Sequence, residues 1–498
     1  MKIGYSLLLV ACISLSLFTS CEDKKENKDG EDPSLTDNEY VNKWIYEEMD
    51  EWYLWRDRMP DESKLNFDSD PTTFFKSLLY AQESAKGYTF STIESTHDNM
   101  LKSTSLDNNT VSSNLGFEYV PATTGLADNP VAFIVVYINK GTNVAAQGEL
   151  KRGDIILKVD DKAITMDNYQ TILYQNKPAY KLGFLDNTTS KTITVTADYE
   201  ENPVFLDSIY IVNNRKIGYL VYNSYEMGDK AKRAYDVQVA QVLTKFQQQG
   251  VTDLVLDLRY NLGGYLESAK VLCSALVPNR STKNILQISS YNSVKQAQFD
   301  ALPDNNATKI EYLYDYFVDN VVNFTTGGTL TSIPKLGDQL NSVYIIGTGN
   351  TASASEMTIN ALTPYLKEAG KNIVRVGETT MGKNVGSSPI SKDNDTRNTY
   401  VLHPISFKTH NKNKESNYAS GFEPDIQADD FELLFAQGGL KPLGDKNETM
   451  LNVAISDITG AARNRSAAIS NITYKKLRGS SLERKPTAYQ LISRQVDK

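Results

Sequence analysis

Thr252-Asp253-Leu254-Val255-Leu256-Asp257-Leu258-Arg259-Tyr260-Asn261-Leu262-Gly263-Gly264 is the stretch that decides the fold class of this chain. Thr252 to Leu258 is a short apolar run of the kind that forms a buried strand, and paired glycines close it. A helix follows from Leu266 through Leu276. Upstream, Ile217 to Val221 reads as a strand and Ala231 to Gln249 as a helix. Downstream come a strand at Asn341–Ile346, a helix at Ser355–Ala369 and a strand at Ile373–Val376. Such alternation predicts an α/β core with largely parallel pairing, spanning about residues 201–440. Within it, 279–333 is polar, with one helix expected at Ile310–Val322, and reads as an insertion over the core. Residues 441–498 are expected to pack outside as helices.

The segments before the core differ in pattern. Residues 39–105 read as a small helical domain: Trp44, Ile45, Met49, Trp52, Tyr53 and Leu54 recur at spacings of three and four. That stripe is expected to be core rather than a ligand platform. Residues 106–200 turn to β-branched runs, Phe133–Ile138 and Thr192–Thr196 among them. At the start, Leu7 to Phe18 is an apolar stretch too short to span a bilayer, and it leads into Thr19-Ser20-Cys21. Residues 1–20 resemble a bacterial lipoprotein signal, which implies lipidation at Cys21. Residues 21–38, rich in Glu, Asp and Lys, read as a solvated tether. The expected location is the cell envelope, lipid-anchored and periplasmic or surface-exposed.

Composition excludes several classes. The 498 residues carry 40% hydrophobic and 23% charged side chains, ordinary for globular domains. A formal net charge of -9 without a basic run gives no electrostatic support to nucleic acid as a partner. Of three cysteines, Cys12 lies in the leader and Cys21 at its end, so Cys273 alone remains in the body. It reads as a small buried hydrophobe. Neither a metal site nor a cofactor is expected.

Three loops carry the chemistry, each trailing a predicted strand: Gly263-Gly264, then Gly347 to Glu356, then Glu378 to Lys383. Parallel strands would bring these loops to one sheet edge, where ligand sites of open α/β sheets lie. Ser353 is a nucleophile candidate at a helix start, and a serine needs a neighbouring base. Lys383 serves as that base only if burial lowers its pKa. Backbone N–H groups at Gly263, Gly264 and Ala354 are candidates for an oxyanion hole.

These motifs resemble those of the tail-specific, or C-terminal processing, serine peptidases. Asp257 to Gly264 is similar to their "D-L-R-x-N-x-G-G" signature, and Thr351 to Glu356 to their "S-A-S-A-S-E" nucleophile motif. Gly377 to Lys383 resembles "G-E-x-T-x-G-K", with the general-base lysine last, and Gly421 to Asp425 resembles "G-x-x-P-D". The resemblance implies a ClpP/crotonase-like peptidase core, a Ser353–Lys383 dyad and endoproteolysis near C-termini. A glutamine often stands four residues past the lysine; here it is Ser387, left as the candidate support for the amine. Asn114 to Phe117 and Gly148 to Asp160 resemble a PDZ domain, which implies that Leu115, Gly116 and Phe117 bind a terminal carboxylate. Expected partners are protein or peptide substrates with free C-termini, and the membrane through the lipid.

Three rival readings stand beside this one. His97 is the one histidine worth naming as a different base. Gly377 to Lys383 also fits a phosphate-binding G-x-x-x-x-G-K, although Asn384 replaces the needed Ser or Thr. A third reading keeps the fold as an inactive peptide-binding scaffold.

Overall fold

A computed structural model describes residues 34–95, 115–126, 129–186, 189–197, 199–392, 395–436, 439–461, 474–485 and 487–493. The leader, Cys21 and His97 lie outside the described residues. Among those described, no helix is long and apolar enough to cross a membrane.

Helix α1 (Asp37–Trp52) begins where Thr36 Oγ1 accepts from the Glu39 N–H (3.1 Å) and the Glu39 carboxylate accepts from the Thr36 N–H (2.9 Å). Helix α2 (Pro71–Leu78) begins at Asp70, with proline in its first turn. Trp44, Ile45, Met49 and Trp52 pack on Phe74, Phe75 and Leu78, so the aromatic stripe is core. The helical domain expected over residues 39–105 has no α-helix after Leu78 among its described residues. A turn at Lys86-Gly87 (φ 49° and 83°) sets up short strands instead. One of them, Thr92–Ser95, pairs with Tyr400–His403 and fastens this domain to the core.

The inserted β-rich domain is an antiparallel sheet of β1 (Phe117–Leu126), β2 (Asn129–Ile138), β3 (Ile155–Val159), β4 (Ala179–Phe184) and β5 (Ser190–Thr194). One face of it closes over Phe117, Tyr119, Phe133, Val135, Ile156 and Leu182.

The core sheet follows the order β6 (Val204–Val212), β7 (Arg215–Tyr222), β8 (Asp253–Asp257), β9 (Ser342–Gly347), β10 (Asn372–Gly377), β11 (Ile426–Gln427). From β7 onward neighbours run parallel. Helices α3 (Ala234–Gln248), α4 (Leu266–Leu276) and α5 (Ala354–Glu368) alternate with these strands. All five residues of β8 are buried, as a central parallel strand covered on both faces requires. Cys273 of α4 is buried in this core beside Thr358. The register decides the geometry of the site. Asp257 stands opposite Ile346, and Ile346 opposite Val376, so the loops leaving β8, β9 and β10 emerge at one level.

Two further expectations need correction. The helix expected over Ile310–Val322 is Ala307–Leu313 only. Beyond it, Tyr314–Tyr316 and Asn320–Val322 are strands, because each has a strand to pair with, Ile285–Ser290 and Thr329–Ser332. The C-terminal part is not wholly helical either. After α6 (Thr449–Thr459) it returns as β12 (Lys475–Lys476) and β13 (Leu491–Ile492). In a second sheet β13 lies between Gly264–Tyr265 and Val385–Ser387.

A buried ion cluster joins the parts. Arg259, fully buried after β8, bonds Asp257 (2.7 Å), Asp430 (2.6 Å) and Glu448 (2.6 Å). Arg152, from the turn before β3, reaches the same Asp430 (2.6 Å). Removing one partner of such a cluster leaves the others desolvated and unpaired. Arg259→Leu is therefore expected to lower unfolding free energy by about 3–5 kcal/mol. A urea melt checks this, and an unchanged midpoint would remove the cluster from the list of stabilising contacts.

Candidate active site

The loop between β9 and α5 is pinned to the loop after β8 before it reaches Ser353. Thr348 Oγ1 donates to the Arg259 carbonyl (2.6 Å) and Thr351 Oγ1 to the Leu258 carbonyl (2.8 Å). The Ala352 N–H and Ser355 Oγ both donate to the Asn261 carbonyl (3.1 Å each). These short hydroxyl side chains convert a loop into a fixed shelf. At its end Ser353 adopts φ 59° and ψ −111°, a strained backbone for a residue with a Cβ. Its side chain is fully buried at the N-terminus of α5, and its Oγ has no hydrogen-bond partner. A buried hydroxyl without a partner is uncommon, because burial without a hydrogen bond is costly.

Glu356, one turn into α5, ties this serine to the third loop. Its Oε2 accepts from the N–H groups of both Ser353 (3.1 Å) and Lys383 (2.8 Å). Its Oε1 accepts from the Gly382 N–H (2.7 Å) and from Thr380 Oγ1. Burial pushes the Glu356 carboxyl up, and these four donors oppose that shift. The same contacts remove the phosphate-binding alternative. The Gly382 and Lys383 amides face a carboxylate, and a strand, Val385–Ser387, follows where a helix would be needed.

Lys383 is 1% exposed. Its Nζ lies 4.8 Å from the centre of the Phe90 ring and donates to the Tyr489 carbonyl. Burial lowers its pKa from 10.5 to about 7, against the opposing pull of Glu83 and Glu356. Glu83 is itself buried, bonded to Tyr53 and Ser91. Phe90 and Glu83 come from the N-terminal domain, which therefore supplies part of the amine's surroundings.

Gly263 touches the serine. A Cβ built on it would lie 2.8 Å from Ser353 Cβ and 2.4 Å from the Gln490 carbonyl oxygen, and its φ of 114° suits glycine alone. Its N–H donates to Asn261 Oδ1 (2.9 Å), and the Gly264 N–H donates to the Gln490 carbonyl (2.6 Å). Ala354 is the first residue of α5, so its N–H has no acceptor within the helix. Ser387 is buried in its strand, and its carbonyl accepts from the Ser493 N–H (3.0 Å). Leu115 and Phe117 are buried in the core of the inserted domain. Gly116 sits between them at φ 82°, its carbonyl bonded to the Asn139 N–H (3.0 Å).

The structure thus brings Ser353, Lys383, Gly263, Gly264 and Ala354 to one place. Leu115 to Phe117 stand apart on the inserted domain. Sequence reasoning quoted Glu356 within a motif without giving it a task, and it missed Glu83, Phe90, Tyr489 and Gln490. A carboxylate three residues after the serine at a helix start is the one signal that pointed to Glu356.

Comparison with known proteins gives the family. The model of peptidase family S41 matches residues 216–428, and that of the peptidase S41 N-terminal domain matches residues 40–92. No curated protein sequence matches. A crystal structure from Bacteroides fragilis NCTC 9343, assigned as an S41 protease, superposes with a TM-score of 0.62 at 26% identity, covering 84% of this chain and 97% of that one. The photosystem II D1 C-terminal processing protease gives a TM-score of 0.46 at 17% identity, covering 81% and 96%. With its two family segments in order and its serine, lysine and paired glycines on one sheet edge, the chain belongs to peptidase family S41.

Proposed function

We propose that this serine peptidase cuts protein chains near their C-termini, with Ser353 as nucleophile, Lys383 as general base and the inserted domain guiding substrate in the manner of a PDZ domain. One observation carries the reading. A fully buried lysine, its amine brought to a pKa of about 7, has its backbone N–H on the same Glu356 oxygen that holds the backbone N–H of a serine whose hydroxyl is unpaired. Near neutral pH half of such amines are uncharged and able to accept a proton.

In the proposed reaction the neutral Nζ takes the proton of Ser353 Oγ as that oxygen bonds to the substrate carbonyl carbon. The charge on the carbonyl oxygen is met by the Ala354 N–H at the start of α5 and by the Gly264 N–H. The ammonium then gives its proton to the leaving amine, and the C–N bond breaks to leave an ester on Ser353. Water, deprotonated by the same amine, attacks that ester and restores the hydroxyl. Recognition of a free carboxylate by the Leu115–Phe117 loop, and attachment of the chain to the cell envelope through a lipid on Cys21, belong to the same proposal. The scaffold alternative shares the fold but does not explain why an amine is kept in an apolar site.

Ser353→Ala and Lys383→Ala are each expected to lower kcat/KM on a dye-labelled unfolded protein by about 10³-fold or more. Unchanged cleavage in both would leave the scaffold reading standing. In the wild type, kcat/KM is expected to rise with pH through an inflection near 7. Glu83→Gln removes a charge that favours the ammonium, so that inflection moves to lower pH; a shift upward contradicts the assignment.

Stability gives an independent check. The lysine binds its proton below about 10.5 when unfolded but only below about 7 when folded, so the folded state is penalised increasingly as pH falls from 10.5 to 7. Lys383→Met is therefore expected to be inactive yet more stable at pH 7, by about 2 kcal/mol after the lost hydrogen bond is counted. That advantage fades as pH approaches 10.5, and paired thermal melts at both pH values measure it.

A further inference from the structure

The C-terminal segment lies along two strand edges that a peptide would need. Its β12 pairs antiparallel with β1, Lys475 opposite Thr123 and Lys476 opposite Ala122. The Leu477 N–H donates to the Pro121 carbonyl (2.8 Å), and Ser481 Oγ accepts from the Tyr119 N–H (2.8 Å). The strand covered in this way is the one that follows Leu115-Gly116-Phe117.

Farther on, the segment crosses the catalytic loops. Lys485 pairs with Glu201 (2.7 Å) in a cavity of about 300 Å³ that also presents Glu118, Glu200 and Glu226. Thr487 Oγ1 donates to Glu226. The Tyr489 carbonyl holds the Lys383 amine, and the Gln490 carbonyl holds the Gly264 N–H. Leu491, fully buried, enters the main core, and β13 runs parallel between Gly264–Tyr265 and Val385–Ser387.

We propose that residues 474–485 and 487–493 form a resident occupant of the peptide channel, seated as a substrate strand is and displaced before substrate can bind. This rests on the reading of Ser353 and Lys383 as the catalytic pair. Backbone pairing to an open strand edge, with alternate side chains dropped into pockets, is how extended peptides are held. Here both groups needed for the reaction, the base and an oxyanion donor, are consumed by carbonyls of consecutive residues.

The fit is imperfect in one informative place. Gln490 is buried, and its Oε1 has no hydrogen-bond partner. An unpaired buried amide oxygen weakens the docked state, whereas an apolar side chain at that position carries no such penalty. The occupant is thus held less firmly than a matched peptide, as displacement requires. It also outlines the substrate class: an apolar side chain where Gln490 lies, and a basic one five positions earlier (485 to 490) facing the carboxylates. Burial pushes Glu118 and Glu226 up to about 7, so an ammonium there relieves their desolvation.

The test separates binding from catalysis. A fluorescent peptide spanning residues 485–493 is titrated into Ser353→Ala as the full chain and as a chain ended after Arg484. Freeing a site that is mostly occupied raises apparent affinity by the reciprocal of its open fraction, so the shortened form is expected to bind at least about tenfold tighter. It is also expected to cleave labelled protein faster when Ser353 is restored. Equal peptide affinity in the two forms, with the shortened one melting cooperatively, overturns the proposal. Should the shortened chain not fold, Gln490→Leu in the full chain decides. It is expected to lower kcat/KM several-fold by tightening the occupant, and an unchanged or higher value overturns the proposal. Tighter peptide binding without cleavage in any form would sink the dyad instead and leave the occupied channel standing.

Discussion

The Glu356 carboxylate is the contact on which the site depends. It is fully buried, and a carboxylate taken out of water is tolerated only where donors replace the lost hydration. Three backbone N–H groups and one hydroxyl do so, and they belong to two loops far apart in sequence. Because one oxygen serves both Ser353 and Lys383, neither loop can shift without breaking a charge-assisted bond. The strained φ of Ser353 persists for the same reason: the N–H of that residue is held from one side while Thr348 and Thr351 hold the loop before it.

The amine then answers to a balance of opposing effects. Burial beside Phe90 disfavours the ammonium, and the two acids Glu83 and Glu356 favour it. Burial alone would hold the amine lower still, and the two acids pull it part of the way back. Glu83 is buried and bonded to Tyr53 and Ser91, which spends part of its charge within the N-terminal domain. That domain is therefore an electrostatic component of the site, and the strand Thr92–Ser95 that pairs with Tyr400–His403 keeps it in place.

How much of this was legible in the sequence follows from the range of each interaction. The parallel strands were readable because buried central strands are apolar throughout, as Asp253–Asp257 and Ser342–Gly347 are apart from their ends. The level meeting of three loops followed from parallel pairing alone. The helix ends at Gln248 and Glu368 fell within a residue of expectation, since an amphipathic period marks them. Glu83 and Phe90 were not readable, because nothing in their local pattern reveals a neighbour some three hundred residues away. The strands Lys475–Lys476 and Leu491–Ile492 are two residues long, too short to show a period of two, and each is a strand only because an edge awaits it. The expected helix fails at 314–322 for a related reason: Tyr314 and Val321 suit either structure, and pairing partners decide it.

That last point bears on why the chain returns upon itself. Gly264–Tyr265 and Val385–Ser387 flank the reacting groups, and without β13 between them each would present unpaired N–H and C=O groups to solvent. A peptidase that acts on extended chains must keep such edges available, yet an open edge invites pairing with any other strand. Filling it with a segment already attached to the molecule satisfies both demands, because an intramolecular strand loses little entropy on docking but can be exchanged for a better-matched one. The imperfect seat of Gln490 and the good one of Leu491 place the exchange within reach without leaving the edge bare.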